Sequence, residues 1–71
     1  MKIIINGKET EVRDGLTVQQ LLLDQKVKMP EMVTVELNDE ILKREEFGMK
    51  VLKAGDRVEF LYFMGGGAAW N

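Results

Sequence analysis

The fold and function of this chain are best approached from its last twelve residues, Phe60-Leu61-Tyr62-Phe63-Met64-Gly65-Gly66-Gly67-Ala68-Ala69-Trp70-Asn71. An apolar run rich in β-forming residues leads directly into three glycines. Such a run predicts a strand that ends where the glycines begin. Glycine adds no side chain to a core, and its slender backbone can approach another surface closely. We therefore expect a domain over residues 1–64, followed by a flexible glycine arm and tail over residues 65–71.

The composition limits the chemistry that the chain can perform. With 71 residues there is room for one domain. The sequence contains no cysteine and no histidine, so it lacks the usual zinc ligands, general base and thiol nucleophile. Glu45 and Glu46 are adjacent carboxylates, which do not converge on one point in a helix or a strand, and we interpret them as a solvated turn. We expect no catalytic residues, no metal site and no bound cofactor, and hence not an enzyme acting alone.

The charge and hydropathy patterns narrow the choice of partners. The formal net charge of -2 argues against nucleic acid, because phosphate binding requires a concentrated basic surface. No apolar run approaches the ~18 residues of a membrane-spanning helix, and the first residues do not form a secretory signal. We therefore expect a cytoplasmic protein with neither a nucleic-acid nor a membrane partner.

The first part of the chain predicts a hairpin followed by a helix. Residues 1–5 and 8–12 are two strands, joined by Asn6-Gly7, which is a strong signal for a type I′ turn. Thr17 and Gln20 have the spacing of a capping box, and Leu16 and Leu21 occupy the positions of a hydrophobic staple. We place the helix at about residues 17–26, because residues that precede Pro30 avoid the α region.

The second part of the chain predicts two more strands and a final one. Residues 33–37 alternate between apolar and polar types, as a half-buried strand does. A brief extended piece follows at Ile41-Leu42. Residues 43–53 are irregular or a single helical turn, with predicted core contacts at Phe47, Val51 and Leu52. Residues 57–64 form the last strand.

This order of elements predicts one mixed sheet with a single helix across one face. One helix covers only one face of a sheet, so the other face is left for water or a partner. Val58, Phe60 and Tyr62 share one face of the last strand, and Glu59 marks the opposite face as open. The apolar residues predicted on the open face are Ile4, Leu61 and Phe63.

Five segments of the chain resemble sulfur carrier proteins of the ThiS family. The resemblance lies in Met1–Lys8, Gly15–Val18 with Leu21-Leu22, Val35–Asn38, Lys53–Glu59 and Phe63–Gly67. It implies the ubiquitin-like β-grasp fold, an α+β fold with the first and last strands paired in parallel at the centre of the sheet.

The resemblance also implies a function. In that family, an activating enzyme of the ThiF type, which is related to ubiquitin-activating enzymes, uses ATP to adenylate the carboxylate of a terminal diglycine. A sulfur donor then converts the adenylate into a thiocarboxylate, which an acceptor such as thiazole synthase consumes. Here the sulfur-carrying end corresponds to Gly66 and Gly67, with Gly65 in the arm. We expect the activating enzyme to dock on the open face at Ile4, Leu61 and Phe63.

The tail departs from the family pattern, since members typically stop at their glycines. Four residues follow Gly67 here, namely Ala68, Ala69, Trp70 and Asn71. The arrangement resembles relatives that serve amino-acid biosynthesis, whose tails a JAMM-type metalloprotease removes. The sequence leaves open whether thiamin thiazole or sulfur amino-acid synthesis receives the sulfur. Two alternatives are the small subunit of molybdopterin synthase, and a β-grasp interaction module that transfers no sulfur.

Overall fold

The computed structural model describes residues 1–62 of the chain. Several predictions fall on residues 63–71 and therefore lie outside the described residues. They are the end of the last strand, the domain boundary after Met64, the position of Phe63 on the open face, the glycine arm Gly65 to Gly67 and the tail 68–71.

The described residues form five strands, one α-helix and one 3-10 turn. In chain order these are β1 (Lys2–Ile5), β2 (Lys8–Glu11), α1 (Val18–Asp24), β3 (Val33–Leu37), β4 (Glu40–Ile41), the 3-10 turn (Arg44–Glu46) and β5 (Arg57–Tyr62). Every predicted element is present, and most boundaries differ from the prediction by one or two residues. No helix within residues 1–62 is long and apolar enough to cross a membrane.

The five strands form one mixed sheet in the order β2-β1-β5-β3-β4. β1 and β5 run parallel in the middle of the sheet, with Ile4 opposite Arg57 and Ile5 opposite Val58. The other neighbouring strands are antiparallel. This is the ubiquitin-like β-grasp arrangement, so the predicted fold class and the parallel central pair are confirmed.

Two hairpins use the same tight turn. Asn6 and Gly7 both have positive φ, at 49° and 82°, and join β1 to β2. Asn38 and Asp39 also have positive φ, at 51° and 73°, and join β3 to β4. Positive φ at both central residues defines the type I′ turn, whose twist matches that of the flanking strands.

Helix α1 begins at the predicted cap. The Gln20 N–H donates to Thr17 Oγ1 at 3.2 Å, and the Thr17 N–H donates to Gln20 Oε1 at 3.0 Å. Leu16 and Leu21 are both buried, as the hydrophobic staple requires. The predicted capping box is therefore confirmed, and it positions the helix across the sheet.

The helix ends earlier than predicted, at Asp24 instead of near residue 26. Lys26 has a φ of 54°, in the left-handed region that ordinarily favours glycine. Its N–H donates to the Leu23 carbonyl at 3.1 Å, and the N–H of Val27 donates to the Leu22 carbonyl at 3.0 Å. These two bonds form a Schellman motif. The helix is thus stopped by a left-handed lysine, before Pro30 can act.

The core lies between α1 and one face of the sheet. Alternate strand residues point into it, as the buried positions of β1 and β3 show. Phe60 and Tyr62 are partly buried and pack against the same core, which confirms the predicted inward face of β5. The buried apolar residues are Ile3, Ile5, Leu16, Val18, Leu21, Leu22, Val33, Val35, Leu37, Leu42, Phe47, Leu52 and Val58.

One predicted core contact is wrong. Val51 was expected beneath the irregular segment, but it is 51% exposed. Residues 50–52 run antiparallel to residues 16–18 in a short bridge, in which Leu52 N–H donates to the Leu16 carbonyl at 2.8 Å. Side chains alternate along such an extended segment. Leu52 therefore points into the core and Val51 points to solvent, while Phe47 is buried as predicted.

Candidate functional site

The structure describes two of the three residues predicted for the docking face. Ile4 in β1 and Leu61 in β5 are both half-buried, and both lie on the side of the sheet away from α1. Their strands are the parallel pair at the sheet centre. Ile4 and Leu61 therefore lie on the same open side of the sheet, and their role in docking a partner stays a prediction.

Strand β5 is fixed at its beginning by a network around Asn38. The Asn38 side chain donates to Asp56 Oδ1 at 3.0 Å and accepts from the Arg57 N–H at 2.9 Å. Asp56 also accepts from the Lys53 N–H at 2.8 Å through its second carboxylate oxygen. These bonds join the turn before β5 to the turn after β3. They set the register of the strand that leads to the glycines.

A second asparagine holds β5 beyond the point where β1 ends. Asn6 lies in the turn after β1, and its Oδ1 accepts from the N–H of Phe60 at 2.9 Å. In the parallel pairing of β1 with β5, the next hydrogen-bond acceptor along the chain after β1 would be a backbone carbonyl. The Asn6 side-chain oxygen takes that position instead. Sequence reasoning identified Asn6 as a turn residue but missed this contact, which spans 54 residues of sequence.

The last described residue, Tyr62, is held on two sides. It lies opposite Val33 in the antiparallel pair of β3 and β5. Its hydroxyl donates to the Lys28 carbonyl at 3.1 Å, in the loop after α1. The chain therefore enters residues 63–71 from a fixed point on the domain.

The open face is mixed in character, with charged and apolar side chains interleaved. Strand register places the following residues on it: Lys2, Ile4, Glu9, Glu11, Thr34, Glu36, Ile41, Arg57, Glu59 and Leu61. Ile41 is 66% exposed, the same fraction as the most exposed leucine of the described chain, Leu23. Sequence reasoning missed Ile41 as a member of this face, because the pairing of β4 with β3 that places it there is not visible in a single segment.

A shallow hollow of about 220 Å³ opens on this face beside the Asn6-Gly7 turn. Its lining residues are Ile4, Gly7, Glu36, Asp39, Arg57, Val58 and Glu59. The Arg57 guanidinium donates to Asp39 Oδ2 at 2.9 Å. Within residues 1–62 no three acidic side chains are arranged to hold a metal ion.

Two solved structures are similar to this chain. The crystal structure of the thiamine biosynthesis protein ThiS from Geobacter metallireducens is 52% identical, with a TM-score of 0.89 over 94% of this chain and 100% of that chain. A solution structure of a thiamine biosynthesis protein from the same organism is also 52% identical, with a TM-score of 0.78 over 94% of this chain and 88% of that chain.

Two curated relatives are named thiazole synthase. The protein from Magnetococcus marinus is 37% identical over 67 residues, which cover 94% of this chain and 20% of the relative. The protein from Paramagnetospirillum magneticum is 35% identical over 68 residues, which cover 96% of this chain and 21% of the relative. The chain thus spans about a fifth of the length of these relatives.

The family match covers almost the entire chain. It runs from residue 3 to residue 67, and so includes the helix, the described strands apart from the first residue of β1, and the three glycines. The similarity to the solved ThiS structure covers 94% of this chain. The chain belongs to the ThiS family.

Proposed function

We propose that this chain is a sulfur carrier for thiazole formation in thiamin synthesis, and that it carries sulfur on the carboxyl group of Gly67. The observation on which this depends is the extent of the family match, which continues through the glycines and stops at residue 67. The solved thiamine biosynthesis protein ThiS supports the same pathway, and so do the relatives named thiazole synthase. The chain acts as a co-substrate of other enzymes.

The proposed chemistry has two steps. The carboxylate of Gly67 attacks the α-phosphorus of ATP, so that an acyl adenylate forms and pyrophosphate leaves. Hydrosulfide then attacks the carbonyl carbon and AMP leaves, which gives the thiocarboxylate directly. If the donor is a persulfide, the same attack gives an acyl disulfide, and a thiol must reduce its S–S bond before the thiocarboxylate is released. Neither step needs a side-chain nucleophile from the carrier, which agrees with the absence of cysteine and histidine from the sequence.

The glycines give the reacting end its access. Three residues of extended chain span about 10 Å, and without Cβ atoms they form a thread narrow enough for a confined active site. The anchored end of β5 at Tyr62 supplies a fixed starting point for that thread. An activating enzyme that binds the domain would therefore find the start of residues 63–71 at a fixed point, Tyr62.

The tail Ala68 to Asn71 must be removed before activation under this proposal. In the 71-residue chain the carboxyl group of Gly67 is part of a peptide bond, and the terminal carboxylate follows the wide indole of Trp70. A peptidase, for which a JAMM-type metalloprotease is our candidate, would cut between Gly67 and Ala68. The tail would then act as a covalent cap that makes sulfur loading depend on proteolysis.

Two protein partners follow from the proposal. The ThiF-type activating enzyme would dock on the open face at Ile4 and Leu61, with Phe63 as the third predicted contact. Thiazole synthase would accept the sulfur. The relatives of that name are about five times as long as the segment that aligns with this chain, so carrier-like and other sequence are joined in one polypeptide. Such a linkage raises the effective concentration of one segment for the other.

The test is intact-mass analysis after incubation with the activating enzyme, ATP and sulfide. The chain that ends at Gly67 should gain the mass difference between one sulfur and one oxygen atom. The 71-residue chain should remain unchanged, and it serves as the matched control. Adenylation at Asn71 would refute the role of the tail. An unchanged mass for the Gly67-ended chain with its cognate enzyme would favour the interaction module, and reaction only with a molybdopterin-pathway activating enzyme would favour that pathway.

A further inference from the structure

We infer that Glu36 and Glu59 form the docking position for a basic side chain of the activating enzyme, at the centre of the open face. This inference depends on the proposed function for the identity of the partner. It specifies the group with which the partner would contact this position: a guanidinium or ammonium group flanked by apolar surface.

The two glutamates are direct neighbours across adjacent strands. Glu36 in β3 lies opposite Glu59 in β5 in the antiparallel register, so both side chains leave the sheet on the open side. Like charges that are directly opposite destabilise a sheet. Neither carboxylate is paired with a cation in the described chain, because none of the ion pairs within residues 1–62 includes Glu36 or Glu59. Residues 63–71 contain no lysine or arginine that could supply one.

The two cations of the open face, Arg57 and Lys2, each have another acidic neighbour. Arg57 is paired with Asp39 at 2.9 Å. Lys2 is at the outer end of β1, where it lies opposite Glu11. Of the four glutamates on the face, Glu11 is paired with the Met1 amino group at 3.3 Å, and no ion pair within residues 1–62 includes the other three. Among those three, Glu36 and Glu59 are the two that lie directly opposite each other.

The surroundings of the pair have the shape and polarity of a docking position. Both glutamates line the hollow of about 220 Å³, and so do the half-buried Ile4 and the paired Arg57. Ile41 lies opposite Glu36 on β4, and Leu61 follows on the same side of β5 as Glu59. Apolar residues around a charged centre exclude water when a partner binds, which strengthens a charge-assisted hydrogen bond there.

Charge complementarity thus favours a basic partner surface over a neutral one. A single cation placed between Glu36 and Glu59 would remove their mutual repulsion and pair with both carboxylates. The two carboxylates repel each other in the free domain, and they would no longer do so in the complex. Complementary charge of this kind raises the rate of association and excludes partners with acidic surfaces. The pair would therefore select the partner as well as bind it.

The experiment measures binding of the 71-residue chain to the purified activating enzyme by calorimetry, at low and high salt. The double variant Glu36→Gln/Glu59→Gln should bind about tenfold more weakly, a change typical of a lost interfacial charge pair, and its affinity should depend less on salt. Glu45→Gln is the control for the loss of a glutamate charge elsewhere, because it removes one such charge from an exposed residue of the 3-10 turn. It should bind like the wild type.

The midpoint of thermal unfolding distinguishes the loss of a binding contact from the loss of the folded structure. The double variant should melt at or above the wild-type temperature, because the substitution removes a repulsion between neighbours. Unchanged affinity in the double variant, or a loss equal to that of Glu45→Gln, would overturn the inference. If the wild-type Gly67-ended chain still gains sulfur in that case, the proposed function stands alone. If binding depends on the glutamates but no sulfur is gained, the docking position stands and the proposed function fails.

Discussion

Asn6 offers a sharp test of how the position of β5 is maintained. Its side chain performs two tasks, since it accepts the Phe60 N–H at 2.9 Å and it tolerates a φ of 49° in the turn. Asn6→Ala removes both. A lost hydrogen bond costs about 1 kcal/mol. A left-handed residue with a Cβ costs about 1–2 kcal/mol, less for asparagine than for alanine. We expect a total of about 2 kcal/mol, from a domain whose core supplies roughly 3–5 kcal/mol.

Urea unfolding followed by circular dichroism measures this effect. With a slope of about 1 kcal/mol per molar for a small domain, the midpoint should fall by about 2 M. Asn6→Gly is the matched variant, because it loses the same hydrogen bond but accepts positive φ without strain. Its midpoint should lie between those of the wild type and Asn6→Ala. The reasoning is refuted if Asn6→Ala stays within about 0.5 kcal/mol of the wild type, or if both variants lose equal stability.

Three further predictions concern other parts of the domain. Leu61→Asp should weaken binding to the activating enzyme and leave the far-ultraviolet spectrum unchanged, whereas Val58→Asp, at a fully buried position of the same strand, should unfold the domain. Loss of the spectrum in Leu61→Asp would contradict the assignment of that residue to the open face. Lys26→Gly should stabilise the domain by about 1 kcal/mol in urea, because φ of 54° strains a lysine; a destabilised variant would contradict the left-handed cap. The pKa of the Met1 amino group is raised from its ordinary 8.0, chiefly by its hydrogen bond to Asp14. The stability from this amine should be present below pH 8 and lost as the pH rises through the raised pKa. The urea midpoint should therefore fall as the pH is raised above 8 in the wild type, but less in Asp14→Asn.

Local signals in the sequence were sufficient for the turns and the start of the helix. Asn6-Gly7 and the Thr17–Gln20 spacing each specify a structure within a few residues, and both are confirmed. The helix end was misplaced because a lysine provides the left-handed residue there, at a position where the pattern would call for glycine. Val51 was misplaced because its segment is governed by a backbone bridge to Thr17, thirty-four positions away.

The candidate site was predictable only where it depends on the alternation within one strand. That alternation placed Leu61 on the open face, and Ile4 followed in the same way from β1. The Glu36–Glu59 pair and the contact of Asn6 with Phe60 arise from strand pairing between distant segments. A single sequence does not display such a register, because any shift by two residues preserves the same alternation of faces.

The parallel pairing of β1 with β5 has a mechanical consequence. A pull applied to Met1 and to the end of β5 draws the two strands past one another along their length, because both run in the same direction. The backbone hydrogen bonds between them, such as Ile4 N–H to the Asp56 carbonyl at 2.8 Å and Asn6 N–H to the Val58 carbonyl at 2.9 Å, then bear the tension together. The β3–β4 hairpin, which is joined by a turn, would instead open one bond at a time. Under the proposed function, a pull on the glycines would load these hydrogen bonds together, and the domain would resist being unravelled from the end of β5.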